Sequence, residues 1–247
     1  MTALLNIDRN PKTVKGQTKG YMTAILYLAP WKASGYNVCP MAEIAGCWHP
    51  CLNTSGQGGM AVGNAVMAPY GVTVPDNAVQ AARIRKTREY FENRDAFMTQ
   101  LVNEVHAFAR KAARKGLTPV VRLNGTSDIK WEHVPADGAP NIMSVFPKIQ
   151  HYDYTKIANR RNLPPNYHLT FSASGTPGYA KFMQLAIDSG MNLTAVFRKT
   201  LPATFMGRPV INGDESDLRF LDPSGVVVGL TAKGRAKKDT SGFVFDA

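Results

Sequence analysis

Strand-like runs, several of them continuously apolar rather than alternating, recur about six times along this chain, each followed by a helical or irregular stretch. Thr23–Ala29 (TAILYLA), Pro119–Leu123 (PVVRL), Leu193–Phe197 (LTAVF) and Val226–Leu230 (VVVGL) are the plainest, joined by Lys148–Tyr154 (KIQHYDY) and Tyr167–Ser172 (YHLTFS). A strand that is apolar on both sides must be covered on both faces, which is the habit of parallel sheets with helical crossovers. Six such units build either an open doubly wound sheet or a partial barrel, with right-handed crossovers in both. In both, reactive groups sit on the loops that follow the strands.

The remaining segments suit one α/β domain over residues 1–247. Residues 1–20 read as an irregular or edge segment. From about Asp76 to Lys115 the pattern is helical, with Tyr90, Phe97, Leu101, Val105, Phe108 and Ala112 on one face, and Gly116 stops it. Residues 129–146 read as an irregular insertion with one short helical stretch. A further helix is expected from about Pro177 to Ser189, and Val210, Ile211 and the acidic stretch Asp214–Asp217 as a loop or small strand pair. A Gly- and Pro-rich loop occupies about 30–71, and a basic tail begins at about 231. A loop that long inside a compact domain is usually functional.

Composition narrows the class. Apolar residues make up 44% of the chain, so it is globular. No run of about 18 apolar residues exists, so no membrane span is expected. Residues 1–19 lack an apolar signal core, which makes a reducing, cytoplasmic setting the expectation. The formal charge of +11 favours polyanionic partners, either nucleic acid or phosphorylated small molecules. Basic residues cluster at Arg83, Arg85, Lys86 and Arg88, then at Arg110, Lys111, Arg114 and Lys115, then at Lys233, Arg235, Lys237 and Lys238. The second group also suits the end of a helix, where cations meet the helix dipole.

The long loop carries all 3 cysteines, Cys39, Cys47 and Cys51, bent by Pro40, Gly46 and Pro50. An odd number in a reducing setting argues against a disulfide framework and for a metal or catalytic use. Thiolates suit an iron–sulfur cluster or zinc, and His49 is the fourth ligand a zinc site would want. On a four-iron cluster, three thiolates leave one iron open to a ligand. The other polar segments after strands are Asn124–Asp128, Tyr152–Lys156, Ser172–Ser174, Phe197–Lys199 and Thr231–Lys233, and they are expected on one side of the molecule. Asn124–Asp128 either grips a small ligand or forms a side-chain-capped turn. Tyr152, Tyr154 and Lys156 either donate protons and hydrogen bonds or pack. Asp214, Glu215 and Asp217 read as a carboxylate cluster or a solvated loop.

Five stretches resemble the phage gene product 88 family: NVCPMAEIAGCWHPCLNTSG, VVRLNGTSDIKWE, HYDYTKIANR, PPNYHLTFS and GDESDLRFLDPSGVVVGLTAKG. The resemblance runs from Leu26 to Phe243 and implies a virus-encoded protein in the cytoplasm of an infected bacterial host. The order of parts is also similar to the radical S-adenosylmethionine (SAM) superfamily, whose usual Cys-x3-Cys-x2-Cys spacing is tighter than the spacing here. That similarity implies a partial (β/α)6 TIM-like barrel with a [4Fe-4S] cluster on Cys39, Cys47 and Cys51. SAM would bind beside it, its methionine part held by Asn124, Thr126, Ser127 and Asp128 and its ribose by Ser172 and Ser174. Tyr152, Tyr154, Lys156 and Lys233 would face an unknown small-molecule or nucleic-acid substrate, and a host reductase would supply electrons. The alternatives are a nucleic-acid-binding protein stapled by a cluster or zinc, and a redox or sensor iron–sulfur protein.

Overall fold

The computed structural model describes residues 3–8, 11–62, 66–67 and 71–246. In chain order the elements begin with β1 (Leu5–Ile7), α1 (Pro11–Gly16) and β2 (Tyr21–Leu26). After the cysteine loop come the small hairpin β3 (Val66–Met67) and β4 (Thr73–Val74), then α2 (Ala78–Glu92) and α3 (Arg94–Arg114). Next are β5 (Thr118–Arg122), α4 (Ile142–Val145), β6 (Gln150–Thr155), β7 (Tyr167–Ser172) and α5 (Ala180–Asp188). The chain ends with β8 (Leu193–Phe197), β9 (Thr204–Phe205), β10 (Arg208–Asn212) and β11 (Val227–Thr231). The result is a mixed α/β fold built on one large, mostly parallel sheet.

That sheet has 9 strands in the order β1-β2-β5-β6-β7-β8-β11-β10-β9. From β2 to β10 every neighbouring pair is parallel, while β1 and β9 join antiparallel at the two edges. Among the described residues the sheet does not close into a barrel. The strands β2, β5, β6, β7, β8 and β11 lie side by side in the order in which they occur in the chain. A doubly wound sheet reverses that order at its centre, so right-handed crossovers here put the intervening helices on one face.

That face is apolar. Met22, Ala24, Leu26, Val121, Leu123 and Leu169 pack in one buried cluster with Phe97, Leu101, Val105 and Phe108 of α3. The apolar spacing expected from the sequence is therefore the buried stripe. The expected single helix over 76–115 is two, parted at Asn93, where φ is −135° and ψ 54°. The break is stabilised locally: Arg94 Nε donates to the Tyr90 carbonyl at 2.7 Å, and its guanidinium lies 3.7 Å from the centre of the Tyr90 ring.

The opposite face is covered by α1 and the segment 213–222. Phe220 packs edge-on to Tyr21 at 5.3 Å and lies 5.4 Å from Tyr152. Arg122 reaches Asp217 at 2.9 Å, and Tyr154 Oη donates to the same carboxylate at 3.2 Å. One side chain also links segments near the two ends of the sheet. Lys12 Nζ, between β1 and β2, lies 3.0 Å from both the Gly213 carbonyl and Asp214, which follow β10. No helix among the described residues is long and apolar enough to cross a membrane.

Candidate functional site

The loops after β2, β5, β6 and β7 come together with the C-terminal tail. After β2 the chain enters the cysteine loop; Gly46 turns it with φ +63°, a region L side chains seldom enter. The loop after β5 is tied to it by Asp128 N, which donates to the Val38 carbonyl at 2.8 Å, and by Cys39 Sγ, 3.8 Å from the Thr126 carbonyl. The loop after β6 joins through Asp128, whose carboxylate accepts from Thr155 Oγ1 at 2.8 Å and Lys156 N at 2.7 Å. The loop after β7 joins through Ser174 Oγ, which donates to the Ala45 carbonyl at 2.7 Å. The tail completes the ring: Ser241 Oγ donates to the Gly46 carbonyl at 2.9 Å.

All 3 cysteines are free and half-buried. Burial raises every thiol, Cys51 to about 11 and Cys39 well above its ordinary value. The sulfurs also act on one another: Cys51 and Cys47 each raise Cys39, and Cys47 raises Cys51. They therefore share one environment. Lys156 faces Cys47 and pulls its thiol down against the burial, while Asp128 pushes it up. Burial lowers Lys156 itself, and Cys47 and Asp128 draw it back up. Its ammonium is held by the Ser172 carbonyl at 2.9 Å, Ser172 Oγ at 3.1 Å and the Ala173 carbonyl at 3.1 Å.

Among the described residues no group of three or more His, Cys, Asp or Glu is arranged to hold a single metal ion. A tetrahedral zinc with bonds of ~2.3 Å needs thiolates about 3.8 Å apart. His49 turns edge-on to Trp48 at 5.6 Å rather than joining a ligand group.

The other expected site residues divide. Cys39, Cys47, Cys51, Asp128, Lys156 and Ser172 come together. Asn124, Thr126, Ser127 and Ser174 are adjacent, with side chains engaged within the fold. Asn124 Oδ1 accepts from Ser127 Oγ at 2.8 Å, Ile129 N at 2.9 Å and Trp131 Nε1 at 3.1 Å, the arrangement of a side-chain-capped turn. Thr126 Oγ1 donates to the Leu28 carbonyl at 2.5 Å. Tyr152 is fully buried against Phe220, and Tyr154 is spent on Asp217, so neither lies beside the thiols. Lys233 pairs with Asp214 at 2.7 Å. The acidic stretch is no cluster: Asp214 pairs with Lys12 and Lys233, and Asp217 with Arg122.

Residues that sequence reasoning left out also face this ring. Arg83 of α2 lowers Cys51 by its charge and lies 5.0 Å from the centre of the Tyr27 ring. Arg160 sits 3.7 Å from Asp128. Tyr179 Oη donates to the Lys156 carbonyl at 2.7 Å. Asp239 of the tail raises Cys47. Arg83 was visible as a basic residue; nothing in the sequence marked its target.

The family model described as gene product 88 matches residues 3–247. The chain belongs to the gene product 88 family. No curated protein and no solved structure matches it. The gene product 88 match spans the cysteine loop, every strand of the large sheet and the tail that seals the loop. The likeness to the radical SAM superfamily, by contrast, has no support from these comparisons.

Proposed function

We propose that this phage-family protein holds a [4Fe-4S] cluster on Cys39, Cys47 and Cys51, at the mouth of a partial, radical-SAM-like barrel. The observation that carries the reading is the sharing of one environment by three half-buried thiols at the strand ends. Soft sulfur donors with no disulfide suit iron. Thiols pushed up by burial and by each other are groups that a bound cation would convert to thiolates. Among the described residues no three or more His, Cys, Asp or Glu are arranged to hold a metal ion, so the reading rests on the shared thiol environment and not on a preformed ligand cage.

The sheet supports the barrel part of the reading. From β2 to β10 lie six strand spacings, about 29 Å on a flat sheet at ~4.8 Å each. Helix α1, with 6 residues, is about 9 Å long and packs beside β2. The contact of Lys12 with Gly213 and Asp214 across that span supports a curled sheet.

Such a cluster, with one iron free of protein ligand, would supply an electron and a binding position for the reductive cleavage of SAM. Lys156 presents its positive charge beside Cys47 and suits an anionic group such as a carboxylate. Asp128 suits an ammonium. Backbone groups of 124–128 take the place of the engaged side chains. Asp128, fixed by Thr155, the Lys156 main-chain N–H and Arg160, and the Lys156 ammonium, fixed by Ser172 and Ala173, need little reorganisation. Tyr179 and the tail exclude water from Lys156.

The test is iron and sulfide analysis of protein prepared without oxygen, with each cysteine changed to alanine in turn. About four of each per chain are expected, with broad absorption at the blue end of the visible, lost in every variant. Preparations carrying neither iron nor sulfide would overturn the cluster. SAM added to reduced, cluster-bearing protein is expected to give 5′-deoxyadenosine; none would reduce the reading to a redox or sensor protein.

A further inference from the structure

On the outer side of the cysteine loop lies a cleft of about 240 Å³, walled by Trp31, Trp48, His49, Thr54, Val72 and Arg235, with Cys51 at its edge. Its walls are unusual for a surface. The Trp31 and Trp48 rings lie 4.7 Å apart at an interplanar angle of 34°, and Trp48 is 43% exposed. Trp31 has φ +49°, which an L side chain seldom adopts without tertiary support, so the loop holds this ring in place. Lys32 Nζ sits 5.2 Å from its centre.

The third basic group of the sequence arrives at the same place. The turn Gly234–Lys238 is packed against the loop at Thr54 and Ser55, carries Arg235 into the cleft wall, and leaves Arg235, Lys237 and Lys238 exposed. The other two groups are partly consumed by the fold. Lys86 turns inward to the Leu4 carbonyl, Arg83 to Asn53 and Arg88 to the Ser34 carbonyl, while Lys111 and Lys115 lie near Asp8. Exposed tryptophan beside a row of cations is what a single strand of nucleic acid needs: rings for its bases and charge for its phosphates. A duplex, with its bases already stacked on each other, gains only from the charge.

We infer that this cleft binds single-stranded nucleic acid, one base stacking on Trp48 while Arg235, Lys237 and Lys238 follow the backbone. The cleft shares the cysteine loop with the proposed cluster, but none of the proposed nucleic-acid contacts is a cysteine. Binding is measured with the full chain by anisotropy of a fluorescein-labelled thymidine 12-mer, against a hairpin duplex of equal length, over a range of salt. The single strand is expected to bind more tightly than the duplex and to quench tryptophan fluorescence. Trp48→Ala is expected to weaken binding by about 5- to 150-fold, the range for losing one stacked base, with Trp48→Phe restoring much of it. Arg235→Gln is expected to flatten the slope of log affinity against log salt by about one. Equal affinity for single strand and duplex, or unchanged binding by Trp48→Ala, would overturn the inference. Cys47→Ala separates the two proposals, because it removes a proposed iron ligand and leaves the cleft intact. Lost iron with retained oligonucleotide binding supports both, and iron-free wild type that still binds sinks only the cluster.

Discussion

His151 sits at the second position of β6, fully buried, with Nδ1 3.0 Å from the Ile149 carbonyl and no partner for Nε2 among the described residues. Burial drives its pKa from 6.5 down to about 4. The unfolded chain then binds a proton that the folded chain refuses between those two values. Stability is therefore full above about pH 6.5 and falls toward pH 4, at about 1.4 kcal/mol per pH unit from this group. Denaturant midpoints of wild type and His151→Gln across that window check it; equal slopes would show that the imidazole is protonated in the fold. The same strand shows what a sequence conceals. No motif singles out His151 in the sequence, and Tyr152 and Tyr154 could be read there either as proton donors or as packing residues. Alternation turned both tyrosines onto the face that Phe220 and Asp217 cover.

Elements were legible where the pattern was local. The runs that became β7 and β8 were bounded correctly because apolar continuity and flanking turn residues mark a buried strand. The stripe on α3 was legible for the same reason, whereas the break at Asn93 depends on one arginine finding one carbonyl. The basic tail expected from about 231 is tied down in ways its composition does not announce. Asp239 accepts from Ser241 Oγ at 2.8 Å and Val244 N at 3.1 Å, and Phe245 bridges to Phe197. Removing the Ser241 hydroxyl deletes one bond to the cysteine loop, a loss of about 1 kcal/mol. In metal-free protein, Ser241→Ala is expected to react about fivefold faster with an aromatic disulfide reagent at its thiols. An unchanged rate would mean that the tail lies on the loop without restraining it.

For the molecule as a whole, chain-order strands and their convergent loops follow from physics visible in the sequence, but the ion pairs that join distant parts do not. Arg122 and Asp217 are 95 residues apart, and Lys12 and Gly213 are 201 apart. Nothing in either neighbourhood names the other. Asp214 binds Lys12 and Lys233 together and is held below the usual carboxylate range by them, outweighing its burial. Its contribution is present above the ordinary aspartate range and lost as pH falls below it. Asp214→Asn is expected to cost about 1 kcal/mol in low salt and less in high salt, read from denaturant midpoints. A salt-independent cost would assign the joint to packing. The bond from Ser241 to Gly46 spans 195 residues, so a ribosome makes the thiol loop long before its cover exists. During that interval the nascent loop is open to whatever delivers inorganic cargo, and once the cover docks, later repair of a damaged centre requires peeling it away.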